Sequence, residues 1–104
     1  MEIKKTERNF PFIEFKDRYG KHCSLQLSSL ADDRCIWFGV DDAEPSIMAS
    51  QAEQYGIITD QKTGWITYPI PKDVLISTRM HLTMEQVQAL LPVLQKFAET
   101  GEID

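Results

Sequence analysis

Arg79 and His81 stand two apart in "STRMHLT", residues 77–83. Side chains two apart in an extended strand share a face. A guanidinium and an imidazole are then presented side by side: a planar fork for carboxylate or phosphate, and a group suited to general acid–base work. A second polar set lies upstream in "HCSLQLS", where His22, Ser24, Gln26 and Ser28 alternate with Cys23, Leu25 and Leu27. Trp37, in "RCIWFGV", adds a flat aromatic surface on which a base or a guanidinium can stack. If the strands lie together, Ser24, Gln26, Ser28, Arg79 and His81 form one polar face, with Trp37 or Phe38 between them. Such a face suits a protein partner, a second copy of the chain, or a small anionic or nucleotide-like ligand.

Catalysis is not indicated. The chain has no P-loop, no GxGxxG, no HExxH and no paired CxxC. His81 could serve as a general base, but no nucleophile or metal set is evident beside it, so the chain reads as non-enzymatic. His22, Cys23, Cys35 and His81 are donors that zinc accepts. His22 and Cys23 are adjacent on a strand, however, so they point to opposite faces and cannot both join one site. The carboxylate pairs Asp32-Asp33 and Asp41-Asp42 could hold a divalent cation; turn chemistry explains them more simply. No cofactor and no metal are expected. Cys23 and Cys35 sit among apolar residues and read as small buried hydrophobes.

The elements that position these groups follow from pattern. Residues 1–9 are polar and read as a flexible arm, with one domain over 10–104. "FPFIEFKDRYGKHCSLQLSS" is a hairpin: an arm over Phe12 to Lys16, a turn at Asp17-Arg18-Tyr19-Gly20, then the alternating second arm. "SSLADD" breaks the chain. "RCIWFGV" is a short apolar run suited to a central strand buried on both faces. Residues 41–64 are the least regular, with Pro45 and one or two helical turns within Ser46 to Tyr55; "ITDQKTGWITYPIP" reads as a second hairpin or an extended arm. "DVLISTRMHL" is the last strand, with Met80 and Leu82 toward the core.

Thr83 then starts a helix, and Thr83-x-x-Gln86 fits a capping box. Met84, Val87, Leu90, Leu91, Leu94, Phe97 and Ala98 recur at spacings of three and four, an apolar stripe. Gly101 stops the helix. Pro92 lies inside it without a packing reason. The fold class expected is α+β: an antiparallel sheet of four or five strands with the C-terminal helix packed on one face.

Charge narrows the partners. The net charge is −5, but residues 1–40 carry seven Lys/Arg against six Asp/Glu, while residues 41–104 carry four against ten. That imbalance argues against a binder of phosphate backbones. It leaves open docking on a basic surface, of which mimicry of DNA is one form. No apolar run nears the ~20 residues that span a bilayer, and "MEIKKTERNF" is not followed by the apolar core of a signal peptide. A cytoplasmic protein without a membrane role is expected.

"DRYGKHCSLQLSSLADDRCIWFGVDD", "GWITYPIP" and "TRMHLTMEQVQALLPVLQKFAETGEI" together resemble a family of small uncharacterised proteins of tailed phages and prophages. The likeness covers about residues 11–103. It rests on DRYG-x-x-CSLQ-x-SSLA, IW-x-G and RMHLT-x-x-QV-x-x-LLP. The resemblance implies a context, a phage-encoded accessory protein acting on a host factor in the host cytoplasm. It brings no catalytic residues to map.

Overall fold

Asp17 sets the first hairpin. Its Oδ1 accepts from the amides of Tyr19 at 2.8 Å and Lys21 at 3.0 Å, and Gly20 takes the positive φ of 81° that the turn requires. The computed structural model describes residues 1–30 and 32–104. Ala31, within the expected "SSLADD" break, lies outside the described residues.

In chain order the strands are β1 (Lys4–Lys5), β2 (Pro11–Lys16), β3 (His22–Leu27), β4 (Cys35–Val40), β5 (Ser46–Met48), β6 (Trp65–Thr67) and β7 (Arg79–Thr83), followed by the helix α1 (Met84–Thr100). The main sheet is antiparallel throughout, in the order β1-β2-β3-β4-β7. The α+β class and the strand number are as expected. The arm over residues 1–9 carries the edge strand β1, tied to β2 by an ion pair of Lys4 Nζ with Glu14 Oε2 at 2.9 Å.

Two compact units divide the chain: Met1–Asp41 with Thr78–Asp104, and Asp42–Ser77. The second unit gives residues 41–64 more order than their sequence suggests. β5 and β6 pair as a small antiparallel sheet, joined through 3-10 turns at Ala49–Gln51 and Glu53–Tyr55. Its buried residues are Ala49 and Ala52.

Three expectations need correction. The last strand begins at Arg79, not at Asp73. Its ladder to β4 starts at Arg79↔Gly39; Thr78 bonds the Asp41 carbonyl through its hydroxyl at 3.2 Å, and residues 73–77 belong to the second unit. β4 is interior to the sheet, yet only Cys35 in it is buried. Ile36, Phe38 and Val40 stay half-buried. Finally, α1 adjoins the sheet at its first turn, and none of its residues is buried.

The reason for that last difference is the connection. Thr83 is both the last residue of β7 and the N-cap of α1, so there is no loop in which the chain can reverse. The capping box itself forms, with the Thr83 hydroxyl accepting from the Gln86 amide and the Gln86 side chain accepting from the Thr83 amide. The helix runs unbroken past Pro92 and ends at Gly101 in the left-handed region. None of its residues is buried.

Register sorts the sheet into two faces. Ile13↔Leu25↔Phe38↔Met80 and Leu27↔Ile36↔Leu82 place the apolar residues on one side. Phe15 and Phe38 meet edge to face at 6.0 Å between centroids. Phe12↔Gln26↔Trp37↔His81 and Glu14↔Ser24↔Gly39↔Arg79 occupy the other side.

Candidate functional site

The five residues singled out from the sequence meet on one surface. β3 supplies Ser24 and Gln26, β4 supplies Trp37, and β7 supplies Arg79 and His81. Period-two alternation in three neighbouring strands, held in register, puts them there.

Arg79 reaches across a whole strand. Its Nη1 donates to Ser24 Oγ and to Gln26 Oε1, both at 3.3 Å, although β4 lies between β7 and β3. The residue beneath is Gly39, which offers no side chain to block the arm. Gly39 adopts a φ of 150°, and a Cβ there would stand 3.0 Å from the Thr78 carbonyl oxygen and 3.1 Å from the Arg79 Cα. A glycine inside a strand marks such a close approach. The guanidinium carbon also lies 5.5 Å from the Trp37 ring centroid, within cation–π range.

The indole is stacked on its other neighbour. Trp37 and His81 are directly paired across β4 and β7, with ring centroids 3.9 Å apart and planes 13° from parallel. His81 Nε2 shares a 3.0 Å hydrogen bond with Ser28 Oγ. The result is a continuous ladder of guanidinium, indole and imidazole, anchored at its ends by β3 hydroxyls. Those anchors are firm: Ser24 is 5% exposed and Ser28 7%. The Ser24 hydroxyl in turn donates a hydrogen bond to Asp41 Oδ1. Each group in the array therefore has a partner, and no buried side-chain N or O atom of the described residues lacks one.

A hollow of about 280 Å³ opens beside the guanidinium, lined by Phe12, Glu14, Ser24, Gln26, Asp41 and Arg79. Two carboxylates face it against one guanidinium. A phosphate placed there would gain Arg79 and be repelled by Glu14 and Asp41.

Sequence reasoning passed over Gly39, weighed Asp41 only with Asp42 as a turn or cation pair, and put Ser28 on the polar face without a role. The signals existed. Gly39 interrupts the apolar run "IWFGV"; Asp41 follows Trp37 and Gly39 at the same spacing of two; Ser28 continues the polar alternation of β3. Ser28 also sets a hydroxyl beside His81 at a distance seen in nucleophile–base pairs. The further parts of such a centre are missing from the printed geometry among the described residues. His81 has no carboxylate orienting it, and the Ser28 oxygen also accepts from the Leu30 amide at 3.4 Å.

Cys23 and Cys35 are free, buried, and far apart along the ladder. Cys23 pairs with Val40, five residues from Cys35 on β4, and so about 17 Å away by the strand rise. Desolvation pushes the Cys35 thiol above its ordinary pKa, and the Asp33 carboxylate adds to the effect. Among the described residues no group of three His, Cys, Asp or Glu side chains is placed to hold a metal ion. No helix among them is long and apolar enough to cross a membrane.

Comparisons with protein-family models, with curated proteins and with solved structures find nothing that matches this chain.

Proposed function

We propose that this chain is a non-catalytic binding protein that captures a protein partner on the polar face of its main sheet. The observation that carries the reading is the Arg79–Trp37–His81 ladder. Arginine and tryptophan are the commonest anchors of protein interfaces. Here both are held in place before any partner arrives, so little side-chain freedom is lost on binding. The hydrogen bonds of Arg79 to β3 both use Nη1, which leaves its remaining N–H donors for a partner's carboxylate or carbonyl groups.

Sequestration of a small anion is the second reading, favoured by the same guanidinium. Glu14 and Asp41 on the rim of the hollow weigh against it. The family resemblance supports a phage-encoded accessory role, with a host factor as partner and the host cytoplasm as the setting. Of the ten carboxylates of residues 41–104, five belong to the second unit, four to the C-terminal segment around α1 and one, Asp41, to the sheet, so no one unit gathers the set that DNA mimicry needs.

The test is capture from host lysate with the full chain and with Arg79→Ala/Trp37→Ala, each checked for fold by circular dichroism. The wild type is expected to retain a partner that the folded double variant loses at least tenfold. Equal retention by both would refute the reading. A thermal shift with nucleotides that vanishes in Arg79→Ala would instead favour the anion reading.

A further inference from the structure

One chain carries two apolar surfaces that adjoin at the first turn of α1 without covering each other. The first is the sheet side built from Ile13, Leu25, Leu27, Ile36, Met80 and Leu82, half-buried at most. The second is the α1 stripe, with Met84, Leu90, Leu91, Leu94 and Phe97 all exposed. The absence of a loop at Thr83 keeps the stripe off its own sheet. We propose that two copies of the chain pair with two-fold symmetry, α1 of each copy lying across the apolar sheet face of the other.

The exposed area fits this. A compact monomer of 12.0 kDa exposes about 6,000 Å², and two separately compact bodies sharing that mass two to one would expose about 7,100 Å². The chain exposes 8919 Å². The surplus of about 1,800 Å², counted over the whole chain with its second unit, exceeds the ~800 Å² that each partner contributes to a standard stable interface. The α1 stripe sets five large apolar side chains together in solvent, where a monomer normally scatters them singly.

Dimensions fit as well. The 17 residues of α1 span about 25 Å. Five strands cover four spacings, about 19 Å, so one helix crosses the whole sheet. An apolar hollow of about 330 Å³ stays open where β3, β4 and the first turn of α1 meet, lined by Leu27, Ile36, Leu82, Met84 and Val87 among others. Charge agrees: residues 84–104 hold one lysine and four carboxylates, while residues 1–40 have one positive charge in excess.

Pro92 gains a role on this account. On a helical wheel it falls on the polar side of α1, opposite Leu90 and Phe97. Its ring crowds the Gln88 carbonyl on that side, so any bend closes toward the apolar stripe. Helices that wrap a core are convex toward solvent in this sense.

A foreign partner would have to supply both a helix and an apolar sheet. A second copy supplies both, and the exchange closes as an isologous dimer with no edge left over. The inference does not rest on the polar face, which lies on the opposite side of the sheet.

Analytical ultracentrifugation of the full chain tests it, with Leu94→Glu in the helix and Met80→Glu in the sheet. Both positions are more than half exposed in the single chain, at 54% and 53%, so neither change removes core from a lone copy. The wild type is expected at twice 12.0 kDa in the micromolar range. Each variant alone is expected to weaken pairing at least 100-fold. An equimolar mixture of the two should recover much of it, because one helix–sheet contact in the mixed pair is unaltered. A wild type that stays monomeric at about 100 μM, or pairing insensitive to either variant, would overturn the proposal. Loss with Leu94→Glu alone and no recovery on mixing would also overturn it, since that is the pattern of helix against helix. Should either variant fail to fold, cross-linking of wild type mixed from two isotopic labels decides: links from Lys96 of one copy to Lys5 of the other support the exchange, and links only within a chain overturn it.

Discussion

Gly39→Ala is the sharpest test of how the polar face is built. Two costs add. A non-glycine residue held at a φ of 150° loses about 1–3 kcal/mol of backbone energy. The new Cβ would also stand 3.0 Å and 3.1 Å from two backbone atoms of the adjoining segment, the Thr78 oxygen and the Arg79 Cα. Backbone cannot rotate away as a side-chain tip can, so β7 must retreat from β4, at about 1–3 kcal/mol for an overpacked site. Together that is about 2–6 kcal/mol, a large part of the 5–15 kcal/mol that holds small domains folded. At ~4–8 °C per kcal/mol, the melting temperature should fall by at least about 8 °C. Gly20→Ala is the matched control. It also has a positive φ, 81°, but open space where its Cβ would stand, so it should cost about 1–2 kcal/mol. Thermal and urea unfolding followed by far-UV circular dichroism measure both. A Gly39→Ala chain no less stable than Gly20→Ala would refute the close approach of β4 and β7, and with it the account of how Arg79 crosses to β3.

Other outcomes follow from single groups. Cys35 should alkylate slowly in the native chain at neutral pH and faster once unfolded; quicker native reaction in Asp33→Asn would agree with a carboxylate that disfavours the thiolate. A thiol pKa raised by folding leaves stability intact below the unfolded value near 9.0 and removes it as pH climbs beyond, because the unfolded chain ionises first. Cys35→Ser should therefore flatten the alkaline loss of stability, and an unchanged alkaline limb would count against the shift. Ser28 should not react with a fluorophosphonate probe above the level of His81→Ala, and specific labelling would revive an enzymatic reading. Thr83→Ala removes the capping box and should cost about 1 kcal/mol, visible as faster amide exchange in the first turn of α1.

The parts of this fold that were legible in sequence are those where a local period forces the answer. Cys23-Ser24-Leu25-Gln26-Leu27 alternates with period two, and one face of the sheet follows from it. Arg79 and His81 then join Ser24 and Gln26 because β4 keeps both neighbours in register. Thr83, Gln86 and Gly101 mark the helix ends because caps are local chemistry. What failed depends on which surfaces meet. An apolar stripe at Met84, Val87, Leu91 and Leu94 states that something covers it, without saying whether that cover lies in the same chain. The absence of a loop at Thr83 was on view, yet its consequence needs the direction of β7. Gly39 and Asp41 were visible too, but their roles depend on Arg79 crossing over Gly39 to the Ser24 hydroxyl that bonds Asp41.

The helix makes the strongest case that the single chain is not the working unit. An isolated helix of 17 residues is marginal in water even with favourable composition. Pro92 adds about 3 kcal/mol against it. The capping box and the glycine stop return about 1–2 kcal/mol between them. Local terms therefore leave α1 unfavourable by about a kilocalorie or more, and none of its residues is buried within the chain to offset that. Apolar burial is the term large enough to do so: at about 25 cal/mol per Å², covering a few hundred Å² of the stripe yields several kilocalories. The sheet needs cover on the same terms, having no large side chain fully buried among the described residues. One contact, helix on sheet between copies, meets both needs. It also leaves the Arg79–Trp37–His81 ladder facing outward on each copy, so pairing would present that surface twice and raise avidity toward any partner with repeated sites.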